Sequence, residues 1–397
     1  MKILVITQYF YPEQFRVNTL CEELVHRGHD VTVLTGYPQY PKGKIYEGYG
    51  FNTPYENNWN GVKIHRVNMR PRGKTPLGLL MNCFTFVREG NKWVEQCEEK
   101  YDAIYVFEVS PVTVGLPALT YKKKFGTPIF FNVQDLWPEN VEVIMGIHNR
   151  LIIDRINKTV DKIYNGSDKI LCSSRGFVEN IAARGIARDK LVFWPQFCDQ
   201  PDSTQLHRPK QFEETMFNVV FTGNIGQAQG IDLLVKAINL IKKENVKCYL
   251  VGDGRAIDGI KKLVAELEIE HKVEFVGRVS EHEANEYVHY ADAAYLSLVD
   301  NKVFNMTIPA KLQTYLACGT PIIGAVDGEC ASIIEQNQCG ICAKRTPEDV
   351  AASILKIKKQ TPEDIITMRE CASQCFCEHF TKEKLVTELE HLMKESI

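Results

Sequence analysis

The stretch "FTGNIGQAQGID", Phe221 to Asp232, is the part of the chain whose reading decides the fold. A strand-like apolar run from Phe217 to Phe221, broken only by Asn218, feeds a loop with glycines at Gly223, Gly226 and Gly230. A helical pattern follows. Strand, glycine loop and helix in this order are the unit of a doubly wound α/β sheet. The loop offers main-chain N–H groups and the positive end of a helix dipole, which together hold an anion such as a phosphate. Gly223 and Gly226 let a ligand approach the backbone closely. No lysine or arginine lies in the loop, so the charge must be balanced from elsewhere.

Two further places in the same half support a phosphate site. In "FNMTIPAKLQTYLACGTPII", Pro309 reads as the first helical residue, preceded by Thr307 and followed in the first turn by Lys311. Lys311 is the candidate for the missing cation, and Arg278, after the run Val273–Gly277, is a second. "LVGDGRAID" supplies Gly252 at a third strand–turn junction, where Asp253 or Arg255 could face inward. Three such loops in one domain point to a nucleoside diphosphate.

The alternation extends through the whole chain. Strand-like runs occur at Lys2–Thr7, Val31–Gly36, Ala103–Val109, Pro128–Asp135, Lys169–Ser174 and Leu191–Trp194. A second series runs Phe217–Gly223, Val246–Gly252, Val273–Gly277, Ala293–Leu298, Pro321–Ala325 and Gly340–Ala343. Strands alternating with helices imply parallel sheets covered on both faces. The polar segment from Asp199 to Thr215 has two prolines and no apolar period. The expected organisation is an α/β protein of two Rossmann-like domains, 1–200 and 216–375, joined by a linker at 201–215, with ligands in a cleft at the sheets' carboxyl ends. Residues 376–397 are expected to form a terminal helix near the region between the domains, burying Leu385, Leu389, Leu392 and Met393, with Thr381 a candidate N-cap.

The first half carries different loops. After Lys2–Thr7 comes "QYFYPEQFRVNTL", aromatic where a dinucleotide fingerprint would show glycines. Tyr9, Tyr11, Arg16 and Asn18 either bind a sugar by stacking and hydrogen bonding or pack the loop. The segment Thr35–Phe51, with Tyr37, is either a second acceptor-facing loop or an ordered surface turn. Asp135 ends a strand before Trp137-Pro138, where it either meets a substrate hydroxyl, as ligand or base, or caps the next helix. In Met69–Trp93, Arg70, Arg72 and Lys74 precede an apolar helical pattern. That suits an anionic membrane surface, or else a core helix behind a solvated basic turn.

Composition narrows the function classes. The chain has 397 residues, a net charge of −3 and 44% hydrophobic residues, which argues against wholesale nucleic-acid binding. Thirteen cysteines, with one isolated C-x-x-C at Cys339 and Cys342, show no zinc spacing and read as reduced thiols of a cytoplasmic protein. "MKILVITQYF" reads as a buried strand rather than a signal peptide, and no run approaches the length of a membrane span.

Taken in order, "LVHRGHDVTVLTGYPQYPKGKIYEGY", "QDLWPEN", "FTGNIGQAQGID", "LVGDG" and "IPAKLQTYLACGTPII" resemble family 4 retaining glycosyltransferases of the GT-B fold. They are most similar to the bacterial group that builds O-antigen, capsule and other surface polysaccharides, which includes N-acetyl-L-fucosaminyl transferases. The resemblance implies a hexosyl or N-acetylhexosaminyl nucleotide-sugar donor, most often a UDP-sugar, on the second domain. A lipid-linked acceptor is implied on the first, at the inner face of the cytoplasmic membrane. No metal is expected, and no Asp-x-Asp pair is present to hold one.

The chain departs from the broad family's pattern. The two glutamates of its motif fall on Met306 and Thr314, its diphosphate-binding arginine and lysine on Asn224 and Gln229, and a frequent histidine on Gln134. Thr314 can still bond a ribose hydroxyl, and Lys311 can offset phosphate charge. Two other readings stay open: a UDP-sugar 2-epimerase on the same fold, and a non-catalytic nucleotide-sugar-binding protein.

Overall fold

The computed structural model describes residues 1–51, 53, 55–73, 75–109, 111–145 and 148–397. It divides the chain into two compact units, Met1–Trp194 with Val386–Ile397, and Pro195–Leu385.

The amino-terminal unit is built on eight strands: β1 (Lys2–Ile6), β2 (Asp30–Thr35), β3 (Asn58–Trp59), β4 (Val62–Arg66), β5 (Ala103–Glu108), β6 (Ile129–Val133), β7 (Lys169–Cys172) and β8 (Leu191–Phe193). Their order is β3-β4-β2-β1-β5-β6-β7-β8. Every pairing is parallel except β3 with β4. Ile3, Leu4, Val5 and Ile6 are all buried, as an unbroken apolar run must be when helices cover both faces of a sheet. The β3–β4 hairpin was not expected. Its turn is Asn60-Gly61, both with positive φ, the pairing that suits a tight antiparallel connection.

The carboxy-terminal unit has six parallel strands: β9 (Phe217–Thr222), β10 (Val246–Val251), β11 (Val273–Gly277), β12 (Ala293–Ser297), β13 (Ile322–Ala325) and β14 (Gly340–Cys342). The order β11-β10-β9-β12-β13-β14 is that of a Rossmann sheet, whose direction of winding reverses between β9 and β12. Val219, Phe221, Leu234, Ile238 and Leu250 pack in its core.

The segment 201–215 belongs to this second unit. Leu206 and Phe212 are buried in it, and the Phe212 ring lies 4.6 Å from that of Tyr249. The terminal helix, Lys382–Ser396, buries Leu385, Leu389 and Met393, while Leu392 is half-buried. From Val386 onward it is counted with the first unit, where Glu390 pairs with Arg27 (2.9 Å) and His29 (2.5 Å). All thirteen cysteines are free. Burial pushes the Cys339 and Cys342 thiols up to about 12, which leaves them poor nucleophiles.

Candidate active site

In the carboxy-terminal unit the loop after β9 lies at the point where the winding reverses, the place where open α/β sheets bind ligands. Main-chain bonds fix it there. Gly223 N–H donates to Val251 O and Ile225 N–H to Asp253 O, both at 2.9 Å, and Val299 N–H donates to Ala228 O at 3.0 Å. The Gly223 and Ile225 donors are thereby spent on the protein. The N–H groups of Asn224 and Gly226 have no acceptor among the described residues.

The glycines divide by what surrounds them. At Gly252, φ is +136° and a Cβ would lie 1.9 Å from the Gly223 carbonyl oxygen. At Gly254 it would lie 2.3 Å from Ile225 O. Both are therefore required by the close crossing of two loops, and Gly252, expected to face the donor, holds that crossing. Gly226 has ordinary φ, and its nearest neighbour is the Asn224 side chain.

Lys311 stands in the first turn of the helix Ala310–Ala317, beside this loop. Its Nζ donates to Gln229 Oε1 and lies 4.2 Å from the centre of the Phe221 ring. Burial lowers its ammonium to about 7. A lysine in this state regains its charge when an anion arrives. Pro309 is the N-cap rather than the first helical residue, because its ψ of 143° is extended. Thr307 Oγ1 donates to Val303 O (2.9 Å) and Thr314 Oγ1 to Ala310 O (3.3 Å), which leaves the lone pairs of both hydroxyls able to accept. Tyr315 holds the floor: its hydroxyl accepts from Thr222 N–H (3.1 Å) and donates to Tyr295 O (3.2 Å). Arg278 reaches Asp253, whose carbonyl accepts from Ile225 N–H of this loop. It follows the edge strand β11, is exposed, and its Nε pairs with Asp253 at 3.4 Å.

In the amino-terminal unit the loops after β1 and β2 are knit together by a residue the sequence reading passed over. Glu13 is buried and accepts N–H bonds from Gln39 (2.7 Å), Tyr40 (2.6 Å) and Phe10 (3.3 Å). Arg66, also buried, donates to the carbonyls of Gly36 (2.8 Å) and Tyr11. Tyr9 is 3% exposed and stacked on Phe15 at 5.3 Å, and burial pushes its hydroxyl up to about 12. Asn18 donates to Glu13 O (2.7 Å), and the Tyr37 hydroxyl to Asn68 (2.5 Å). Tyr9, Asn18 and Tyr37, expected at the acceptor, thus have partners within the protein, as aromatic and amide side chains do whether or not they also bind sugar. Arg16 opens the helix Arg16–His26 and is half-buried.

Asp135 lies two residues past β6, half-buried, and its N–H donates to Glu108 Oε2 at 3.2 Å. Glu108, the last residue of β5, is fully buried, and burial beside Asp135 holds its carboxyl well above the usual range. An acid ending a strand was the signal used for Asp135 and applied equally to Glu108. Lys74 lies outside the described residues. Among the described residues, no group of three or more acidic, histidine or cysteine side chains could hold a metal ion.

Comparisons with known proteins follow this division. Residues 202–372 match the sequence model described as Glycosyl transferases group 1, and residues 14–196 that described as Glycosyl transferase 4-like domain. WbjE of Pseudomonas aeruginosa, named as a glycosyltransferase, is 24% identical over 66% of this chain and 68% of its own. WcaI of Escherichia coli K12, named as a colanic acid biosynthesis glycosyl transferase, is 19% identical over 90% of this chain and 92% of its own. The structure of HepE from Anabaena, solved in complex with UDP, superposes with a TM-score of 0.73 at 13% identity, covering all of both chains. The chain therefore belongs to the glycosyltransferases, with group 1 as its carboxy-terminal unit and the 4-like domain as its amino-terminal unit, on a GT-B fold.

Proposed function

We propose that this chain is a retaining glycosyltransferase that moves a sugar from a UDP-sugar to a lipid-linked saccharide during surface polysaccharide synthesis. The observation that carries the reading is Lys311 bonded to Gln229. At the position where the broad family places a lysine, this chain has a glutamine, and a lysine from another segment reaches the same spot. The colanic acid assignment of WcaI and the UDP bound to HepE support the pathway and the nucleotide.

In this reading the diphosphate is gripped by the N–H groups of Asn224 and Gly226 and by Lys311. Thr314 and Thr307 accept from donor hydroxyls. As the bond from the anomeric carbon to the diphosphate breaks, negative charge grows on the leaving oxygen. Fixed N–H dipoles and an ammonium in a site shielded from water lower the energy of that charge. One such donor is worth about 3 kcal/mol of barrier in comparable oxyanion sites. Asp135, on the amino-terminal unit, binds the acceptor hydroxyl and takes its proton, while Arg16 orients the acceptor. No metal is invoked.

The test is a panel of nucleotide sugars with a lipid-linked acceptor, followed by NMR of the product. UDP release with an unchanged anomeric configuration is the expected result. Interconversion of the donor without acceptor would assign an epimerase instead, and nucleotide binding without turnover on any acceptor would assign a binding protein.

A further inference from the structure

The helix Pro76–Gln96 has two unlike faces. One is tied into the amino-terminal unit: Asn82, Thr85 and Phe86 are buried, and Asn82 accepts from Gln8 (2.5 Å) and donates to Arg70 O (2.6 Å). The other presents Leu77, Leu80 and Phe84, exposed by 68%, 64% and 57%. Spacings of three and four residues put them on one stripe. Large apolar side chains scattered singly over a surface need no explanation, but three in a row on one helix mark a contact surface.

Cations flank this helix, and they come from two loops: Arg70 N–H donates to Thr85 Oγ1 at 2.9 Å. Gly73 N–H donates to Gly43 O at 3.0 Å, which lays the segment 42–44 beside the segment leading into the helix. Lys42, Lys44 and Arg70 are all exposed, and none has an acidic partner among the described residues. Arg72, read from the sequence as part of the basic cluster, turns inward: its guanidinium faces Tyr9 and its N–H donates to Gln39. The protein as a whole carries −3, so this is a local concentration of positive charge. Among the described residues no helix is long and apolar enough to cross a membrane, so the stripe can lie on a surface but not span it.

We infer that Leu77, Leu80 and Phe84, with Lys42, Lys44 and Arg70 flanking their helix, form a face that docks on an anionic lipid bilayer. The apolar side chains enter the headgroup–acyl boundary, and the cations pair with lipid phosphates. Charge decides for a bilayer over a second copy of the chain, since two copies would bring the same cations together. Docking brings the acceptor-side unit to the surface where a lipid-linked saccharide resides. It is measured without donor or acceptor, so its failure is separable from failure of the transferase reading.

The experiment is co-sedimentation of the full chain with phosphatidylglycerol–phosphatidylcholine vesicles and with pure phosphatidylcholine vesicles. The wild type should pellet with the first and much less with the second. Lys42→Ser/Lys44→Ser/Arg70→Ser should lower partitioning on the order of a hundredfold at low salt, about fivefold per cation. Leu77→Ser/Leu80→Ser/Phe84→Ser should abolish it with unchanged melting, since these side chains are already in water. The charge-matched control Lys242→Ser/Lys243→Ser/Lys359→Ser, on the other unit, should bind like the wild type. Equal pelleting with both vesicle types, or binding untouched by both triple variants, would overturn the inference. So would a wild-type dimer by light scattering that the apolar variant dissolves, which would assign the face to a second copy.

Discussion

Lys311 donates its Nζ hydrogen to the Gln229 side-chain oxygen, joining two segments 82 residues apart in sequence. In the proposed reading this pair meets the need of a phosphate-type glycine loop without a cation: the lysine of the neighbouring helix becomes charged when the anion binds. Because burial lowers Lys311 to about 7, much of it is neutral at physiological pH until an anion binds.

That state gives a proton-linkage prediction. A bound diphosphate raises the lysine's pKa, so UDP binding at pH 8 should take up a proton and binding at pH 6 should take up little. Affinity should fall as pH rises above about 7. Calorimetry in buffers of different ionisation enthalpy measures the uptake directly. Lys311→Met should remove the uptake and weaken UDP at least tenfold, one charge-assisted bond being worth about 1.5–3 kcal/mol.

The same lysine should cost stability. Its folded pKa lies below its unfolded value, so the unfolded chain binds more protons between about 7 and 10.5. The penalty is complete below the folded pKa and is lost as pH rises towards the unfolded one. Lys311→Met should therefore raise Tm at pH 7, by about 2 °C or more, and the gain should vanish near pH 10.5. Thermal melts across that range test it.

The glycines should separate folding from binding. Gly252→Ala places a Cβ against the Gly223 carbonyl at a φ that alanine avoids, so it should lower stability by roughly 2–4 kcal/mol and abolish UDP binding. Gly226→Val meets only the Asn224 side chain and should fold normally. Its loss should appear in nucleotide affinity alone. Denaturant titration beside calorimetry distinguishes the two.

Glu13→Gln should destabilise the amino-terminal unit by about 1–3 kcal/mol, because an amide has one acceptor oxygen where the carboxylate accepts three main-chain N–H bonds. Hydrogen exchange should localise the loss to Phe10, Gln39 and Tyr40. Uniform protection in the variant would contradict the role given to Glu13.

Much of this architecture is written in local pattern. The twelve runs read as strands correspond to β1, β2 and β5 to β14, because strands covered on both faces are apolar without interruption. β3 and β4 do not stand out in the sequence: β3 is two residues long, and "VKIHR" has only Val62 and Ile64 as apolar residues, too short an alternation to set it apart from loop sequence. The glycine loop and Lys311 as its candidate cation were legible, but the bond from Lys311 to Gln229 was not, since it joins side chains 82 residues apart and spacing carries no trace of it. Glu13 and Arg66 were opaque for another reason. Most of their partners are main-chain groups of other loops, and side-chain spacing carries no trace of those. Tyr9 and Tyr37 show the converse, in that aromatic residues at a strand's carboxyl end serve packing as readily as recognition.

The most direct measurement is the structure of crystals soaked in UDP. The β-phosphate should lie within about 3 Å of Lys311 Nζ and of the Asn224 and Gly226 amide nitrogens, with Gln229 released from the lysine. UDP held by the amino-terminal unit, or a diphosphate out of reach of Lys311, would contradict the account.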